Sequence, residues 1–272
     1  IMECNVAAVI LNYRNYLDTI ECVESILNNS YSLKGIVIVE NGSDNESYVR
    51  LMNRFNKEPS VVILKNNKNL GYAKGNNIGI CYARKQMGAK FVLVVNNDTI
   101  FYQEDFFSQL FQSYCPGVGV IGPRITSYWL KGENKVRNYK GVSGFILHYL
   151  IFLANAHEWN WLSELFVQKI EKVESHVVIH GCAIMFTPDF FRYYNGFYPY
   201  TFLYCEENII DVLASKAGLR EVQVNGAELY HKGGRASQLS YTNQRAFAYI
   251  VKSMKHLLIV SMLPFSILKR IC

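Results

Sequence analysis

The sequence has few features of a secreted or membrane-spanning protein. None of its seven cysteines forms a CxxC pair and most lie in apolar runs, which is typical of reduced, buried thiols rather than of a disulfide framework or a zinc site. Glu3 and Asn5 interrupt the first apolar run, so we expect no signal peptide. Because no unbroken apolar stretch reaches about 18 residues, we also expect no membrane-spanning helix. These absences predict a cytoplasmic protein.

Two common phosphate-binding motifs are also missing. No GxGxxG motif follows the first predicted strand, and no GxxxxGKS/T motif occurs anywhere in the chain. A dehydrogenase or a P-loop enzyme therefore has little support. The chain also shows no internal repeat and no low-complexity segment.

The sequence does contain enough apolar residues for a sizeable core. Of its 272 residues, 50% are hydrophobic and 18% are charged, which predicts a folded protein. The 28 Lys and Arg exceed the 22 Asp and Glu, for a net charge of +6. This balance suits an anionic small molecule or an anionic membrane surface and gives no reason to expect nucleic acid. Ordinary solubilising charge is the alternative.

The first hundred residues alternate strand and helix patterns. Four short apolar runs predict strands, and the segments between them read as helices. The predicted strands are Val6 to Leu11, Ile36 to Val39, Val61 to Leu64 and Phe91 to Val95. Strands that are apolar throughout and separated by helices predict an α/β fold, with a mostly parallel sheet covered by helices on both faces.

The second half of the chain is less regular. Residues 125–140 are predicted to form a loop, and Val177 to Phe186 a strand that contains His180. Ile209 to Lys216 is predicted to form a helix, followed by a strand from Glu221 to Val224.

Polar residues follow each of the first four predicted strands. These strand ends carry Asn12-Tyr13, Glu40 to Ser43, Asn66 to Gly71 and Asn96 to Asp98. In open parallel sheets, ligands bind beyond the carboxyl ends of the strands. A ligand site is therefore predicted at this edge, with ordinary polar loop composition as the alternative.

These motifs, in this order, resemble the family 2 glycosyltransferases, especially the rhamnosyltransferase-like branch that builds bacterial surface polysaccharides. The matching stretches are Val9 to Tyr13, Val39 to Ser43, Asn69 to Gly79, Asn96 to Thr99, Phe202 to Asn208 and His231 to Gly234. The resemblance implies a GT-A fold, a nucleoside-diphosphate sugar donor, a divalent metal (Mn²⁺ or Mg²⁺) and inversion at the anomeric carbon. It implies a glycan or a lipid-linked saccharide as acceptor. It leaves dTDP-rhamnose and UDP-sugars open as donors, and it leaves the oligomeric state open.

The resemblance also divides the chain. Residues 1–240 are expected to form the GT-A domain, with the nucleotide-sugar-binding half at 1–100 and the acceptor and catalytic half at 101–240. Residues 241–272 are expected to form an amphipathic helical tail, whose apolar stretch from Leu257 to Leu268 is flanked by cations. Such a tail suits peripheral attachment to the inner face of the cell membrane. Packing of the tail on the catalytic domain is the alternative.

The resemblance places a metal site after the fourth strand. Asp98 matches the last residue of the family's Asp-x-Asp motif, and Asn96 replaces the first Asp with a neutral oxygen donor. A carboxylate there suits Mg²⁺ or Mn²⁺ that bridges two phosphates, with capping of a following helix as the alternative. His231 is the second expected metal ligand, with a structural histidine as the alternative.

The nucleotide sugar is expected at the same edge of the sheet. Glu40 occupies the position where the family usually has an Asp that contacts the base or ribose, and Gly71 permits close backbone approach at a helix start. A turn-edge carboxylate and a glycine needed only for packing are the alternatives. The predicted donor-binding residues are Asn12, Tyr13, Glu40, Asn41, Asn69, Gly71, Lys74, Asn76, Asn96, Asn97, Lys232 and Arg235.

The catalytic base is expected in a pair of adjacent carboxylates. Glu206 and Glu207 match the position where the family has Glu-Asp before a helix. An inverting transfer needs one carboxylate to take the proton of the acceptor hydroxyl. By position Glu207 is the base and Glu206 orients it or the acceptor, whereas a simple preference of acids for a helix N-terminus is the alternative. The departures from the family pattern at Glu40, Asn96 and Glu207 motivate a second hypothesis, a non-catalytic nucleotide-sugar or polysaccharide-binding protein on the same fold.

Overall fold

A computed structural model describes residues 5–29, 33–127, 136–137, 141–156, 159, 161, 176–233 and 243–272. Ten strands lie within these ranges. They are β1 (Val6–Asn12), β2 (Gly35–Glu40), β3 (Val61–Lys65), β4 (Phe91–Asn96), β5 (Thr99–Ile100), β6 (Val118–Thr126), β7 (Val136–Arg137), β8 (His176–Val177), β9 (Ala183–Phe186) and β10 (Arg220–His231). The helices are α1 (Tyr16–Leu27), α2 (Ser47–Phe55), α3 (Tyr72–Lys85), α4 (Phe106–Gln112), α5 (Gly141–Ala156), α6 (Pro188–Phe191), α7 (Glu206–Lys216), α8 (Asn243–Met262) and α9 (Phe265–Ile271).

Eight of the strands form one mixed sheet in the order β3-β2-β1-β4-β9-β6-β10-β5. The first four are parallel, which confirms the strands predicted from the four apolar runs. β9 then inserts antiparallel between β4 and β6, β6 pairs in parallel with β10, and β5 pairs antiparallel with β10. β7 and β8 form a separate two-stranded sheet.

The alternation of side chains along β1 divides the core into two layers. Ala8 and Ile10 pack on the face that α1 covers, whereas Ala7 and Val9 pack on the face that α3 covers. Successive strand residues point to opposite faces, so both faces of an all-apolar strand need a cover. The absence of a side chain at Gly79 lets α3 approach closely, since a β-carbon there would lie 2.4 Å from Val9 Cγ1.

Several predicted boundaries are wrong in the second half. β9 begins at Ala183, so His180 precedes the strand and lies in a turn closed by a bond from Ala183 N to His180 O of 3.1 Å. A run of apolar residues cannot show where pairing starts, because the neighbouring strand decides it. α7 begins at Glu206, three residues earlier than predicted, and β10 extends to His231. The loop predicted at 125–140 lies mostly outside the described residues.

The described part of the tail packs on the domain. Leu257, Val260 and Leu268 are buried in the same core layer as α3, and Lys216 Nζ on α7 donates to Leu263 O at 2.8 Å. α8 also packs against α5. Among the residues that the structure describes, no helix is both long and apolar enough to cross a bilayer.

Candidate functional site

One cleft of about 490 Å³ opens beyond the carboxyl ends of β1 and β4. The turn before β9, the first residues of α7 and side chains of α5 and α8 complete its walls. The predicted site residues that line it are Tyr13, Asn41, Asn69, Gly71, Asn96, Asn97, Asp98, Glu206 and Glu207. Chain segments far apart in the sequence therefore meet at the carboxyl ends of the parallel strands, where the sequence predicts a ligand site.

Asp98 lines this cleft, and His231 stands directly against it. Asp98 is only 2% exposed, and it is followed by β5, so capping of a following helix does not explain it. β5 pairs with the end of β10, with Thr99 opposite His231. This pairing brings His231 Nε2 to 3.1 Å from Asp98 Oδ1 and so joins the two predicted metal ligands.

Two further side chains with metal-binding chemistry lie beside this pair. His180 and Cys182 both line the cleft, and the His180 and His231 rings meet edge to face with centroids 5.7 Å apart. The ligand atoms of His180, Cys182 and His231 all lie within 4.8 Å of one another. Sequence reasoning missed Cys182 because the cysteines have no paired spacing, and the only available signal was its position two residues after His180.

Asn96 is held by the start of α3. The Tyr72 hydroxyl donates to Asn96 Oδ1 at 3.1 Å and also lies 2.9 Å from the Gly181 carbonyl oxygen. Burial, followed by the nearby Glu206, raises the pKa of Tyr72 well above its ordinary value. Tyr72 therefore keeps its proton as a donor and ties the end of β4 to the turn before β9.

Asn41, Asn69 and Gly71 form one connected wall. Asn41 Nδ2 donates to Asn69 Oδ1 at 3.0 Å, and the same oxygen accepts from Gly71 N at 2.8 Å. Gly71 has φ = +83°, and a β-carbon there would lie 2.6 Å from Phe202 O. Only glycine fits this position without strain, and α3 begins immediately after it.

Glu40 and Asn12 lie behind the wall rather than in it. Glu40 is 1% exposed. One of its carboxylate oxygens accepts from Ser43 N at 2.6 Å and the other from Asn12 Nδ2. Neither residue lines the cleft. In this arrangement the Glu40 carboxylate shapes the turn after β2. Because Glu40 is buried, the base or ribose contact predicted for it would require the residues that cover it to move.

Four other predicted donor-binding residues also lie away from the cleft wall or beyond the described residues. Asn76 is buried, with Nδ2 donating to Tyr72 O at 3.1 Å, and Lys74 is exposed on α3. Lys232 Nζ pairs with Asp18 and Glu21 on α1. Arg235 lies outside the described residues.

The environment of Lys232 is strongly acidic. Burial by itself would lower its pKa, but the hydrogen bonds to Asp18 and Glu21 outweigh burial and raise the pKa. A phosphate oxygen that binds Lys232 would therefore share the ammonium group with these two carboxylates. The predicted phosphate contact therefore stays a prediction that the present arrangement does not favour.

Glu206 and Glu207 differ in their surroundings. Both belong to the first turn of α7, which follows two residues with left-handed backbone, Tyr204 at φ = 74° and Cys205 at φ = 64°. Glu206 is 6% exposed, and burial together with the neighbouring Glu207 raises its pKa to about 8. Glu207 faces the turn before β9, since a β-carbon at Gly181 would lie 3.1 Å from Glu207 Oε2.

Comparisons with known proteins identify the family and the fold of the chain. The model of "Glycosyl transferase family 2" matches residues 7–191, whereas no curated protein matches the sequence significantly. Staphylococcus aureus TarS, residues 1–349 in complex with UDP, is similar at 12% identity and a TM-score of 0.58, covering 98% of this chain and 69% of that one. The mannosyltransferase PcManGT from Pyrobaculum calidifontis, in complex with GDP-Man and Mn²⁺, is similar at 11% identity and a TM-score of 0.58, covering 94% and 72%.

At these identities the structural neighbours show the fold alone, and the fold is the GT-A-type α/β fold, as predicted. The family match covers more than half of the chain. The chain therefore belongs to glycosyl transferase family 2, and it is a nucleotide-sugar glycosyltransferase.

Proposed function

We propose that the chain is an inverting glycosyltransferase that binds its donor with Mn²⁺ or Mg²⁺ on Asp98 and uses Glu207 as the base. The observation that carries the proposal is that Asp98 and Glu207 line one cleft although they belong to different halves of the chain. A cation-binding carboxylate and a base in one cleft are what an in-line displacement at a sugar carbon needs.

The residues around Asp98 fit a divalent cation. They offer a buried carboxylate, the imidazole of His231 at 3.1 Å from it, and the carboxamide of Asn96 nearby. Oxygen ligands with one neutral imidazole suit Mn²⁺, and oxygen ligands suit Mg²⁺. Such a cation, when bound, neutralises charge on the departing nucleoside diphosphate. The Mn²⁺ in the PcManGT complex supports this assignment.

Glu206 and Glu207 have different roles in the proposed reaction. Because its pKa is raised to about 8, Glu206 carries a proton at neutral pH and is unsuited to accept another. Glu207 lines the cleft and is the group that we assign to accept the proton of the acceptor hydroxyl. Glu206 then positions the first turn of α7 from its buried site.

The donor nucleotide is assigned to the wall made by Tyr13, Asn41, Asn69 and Gly71. This wall offers an aromatic ring, carboxamides and a glycine that lets a ligand approach the backbone closely. The complexes of TarS and PcManGT contain UDP and GDP-Man, and the resemblance of the sequence motifs favours dTDP-rhamnose or a UDP-sugar here.

The acceptor side of the cleft is apolar. Phe152 from α5 and Ile250, Met254 and Leu257 from α8 line it. An apolar wall beside a sugar-transfer site suits an acceptor whose saccharide is joined to a lipid. This wall supports a lipid-linked acceptor over a free glycan, and with it a place in surface polysaccharide synthesis for a rhamnosyltransferase-like enzyme.

One face of α8 supports peripheral membrane attachment. Lys252, Lys255, Ile259 and Met262 recur at spacings of three and four and are all exposed, so they share one side of the helix. Lys269 and Arg270 on α9 are exposed as well. Cations next to apolar side chains suit the interface of an anionic bilayer.

The test combines donor binding with transfer. A thermal-shift screen of nucleoside diphosphates, with and without Mn²⁺, identifies the nucleotide, and transfer is then assayed on a synthetic lipid-linked saccharide. Asp98→Ala should remove the metal-dependent shift and transfer. Glu104→Gln, on an exposed residue outside the cleft lining, is the control. Metal-dependent donor binding without transfer or donor hydrolysis across an acceptor panel would favour the non-catalytic binding protein.

A further inference from the structure

The cleft contains more metal-binding chemistry than the transfer reaction uses. His180 and Cys182 belong to the turn before β9 and to its edge, and neither has a part in the mechanism above. Their ligand atoms and that of His231 lie within 4.8 Å of one another. Asp98 Oδ1 lies 3.1 Å from His231 Nε2. Two imidazoles and a thiol thus form one cluster, and the Asp98 carboxylate lies beside its His231 member.

This set matches the ligands of a soft divalent cation. Zn²⁺ binds four ligands in a tetrahedron, with bonds of about 2.3 Å to sulfur and about 2.0–2.1 Å to nitrogen, which places the ligand atoms roughly 3.3–3.7 Å apart. The separation between the cluster's ligand atoms, at most 4.8 Å, is about 1 Å wider. Changes in side-chain torsion can close such a gap, and His180 is only partly buried, which leaves it room to move.

We propose that His180, Cys182 and His231 form a binding site for a thiophilic divalent cation of the Zn²⁺ class. The site differs in ligand type from the oxygen-rich site that the donor diphosphate would complete, although the two share His231. Thiolate and imidazole select Zn²⁺ and Co²⁺ over Mg²⁺, because soft ligands favour soft cations.

Binding is balanced by the release of a proton. Formation of the sulfur–metal bond displaces the proton of the Cys182 thiol, which leaves through the cleft to solvent. His180 Nδ1 now accepts from Cys182 N at 3.1 Å. If the His180 ring binds the cation through Nε2, it carries its proton on Nδ1. Nδ1 then no longer accepts the hydrogen bond from Cys182 N.

A consequence for catalysis rests on the proposed function. Three protein ligands would leave one position of a tetrahedral cation open. His231 would then be held by this cation and could not also serve the donor-bound Mn²⁺. Zn²⁺ should therefore inhibit transfer in competition with the donor-bound Mn²⁺.

Cobalt absorption tests the site without any transfer assay. We expect Co²⁺ added to the reduced full chain to produce a near-ultraviolet thiolate-to-cobalt band at one equivalent, and Zn²⁺ to abolish it. The band should persist in Cys81→Ala, a matched variant of an exposed cysteine outside the cluster. It should vanish in Cys182→Ala, and His180→Ala should weaken Co²⁺ binding at least tenfold.

Circular dichroism establishes that each variant is folded, and Cys182→Val, which retains the apolar volume without the sulfur, replaces Cys182→Ala if the latter unfolds. No thiolate band in the folded wild type, or the same band without Cys182, would overturn the proposal. In the transfer assay, the Zn²⁺ concentration that inhibits the wild type should be at least tenfold lower than the concentration that inhibits the Cys182 variant. A cobalt band in a chain without transfer activity would refute the proposed function alone, and transfer without the band would refute only the soft-metal site.

Discussion

The buried carboxyl of Glu206 makes the stability of this protein depend on pH in an unusual direction. Burial, and then Glu207, raise its pKa from 4.5 to about 8 in the folded chain. In the unfolded chain the group titrates near its ordinary value. Between these two values the unfolded state has lost a proton that the folded state retains, so the free energy of unfolding falls as pH rises. The contribution is complete below pH 4.5 and lost by about pH 8.

The magnitude follows from the size of the shift. Each pH unit in this window is worth about 1.4 kcal/mol, so the full shift corresponds to about 5 kcal/mol and the interval from pH 5.0 to 7.5 to about 3 kcal/mol. Glu206→Gln keeps the shape of the side chain and removes its titration. We expect the wild type to lose about 3 kcal/mol more than the variant over this interval.

Urea unfolding at several pH values measures the difference directly. Glu206→Gln also changes the free energy of unfolding by an amount that does not depend on pH. This amount cancels when only the pH dependence of the two proteins is compared. Glu207→Gln serves as the second variant, because it removes the smaller of the two causes and should move the upper end of the window to lower pH. Parallel pH profiles for the wild type and Glu206→Gln would refute the reasoning.

Three other changes test separate parts of the structure. Glu207→Gln should lower kcat by about 10²- to 10⁴-fold with little change in donor KM, measured on the lipid-linked acceptor; near-normal kcat would remove the assignment of the base. Gly71→Ala should destabilise by about 2–4 kcal/mol in urea, because it adds a backbone clash to the cost of positive φ. Gly88→Ala, at φ = +68° in open space, should cost only about 1 kcal/mol, and equal losses would contradict the clash. The double variant Lys252→Glu/Lys255→Glu should weaken sedimentation with anionic phosphatidylglycerol vesicles by about tenfold or more, and unchanged binding would remove α8 from the membrane face.

Local pattern was sufficient for the first half of the fold. The strands β1 to β4 consist of short, continuous apolar runs, and such runs indicate strands that are buried on both faces. The structure shows this burial. The strand ends also predicted where the cleft lies, since parallel strands place their carboxyl ends at one edge. Asp98 and Glu207 were accordingly found in the cleft wall, each from a motif of a few residues.

What the sequence could not determine is the direction in which polar side chains point. Glu40 turns inward to Asn12 and to the nearby Ser43, and Lys232 turns to Asp18 on α1, because these partners satisfy their polar groups there. The same residues in the same motifs are equally compatible with a Glu40 or a Lys232 side chain that faces the donor.

The sequence by itself determined the four parallel strands of the first half, the polar edge at which they end and the residue types available for chemistry. Only the tertiary structure decided which of them meet: the pairing of β5 with β10 brings His231 to Asp98, and the turn before β9 adds His180 and Cys182. The physical reason is that local spacing encodes burial and backbone preference, whereas convergence of side chains depends on strand pairing between segments far apart in the chain.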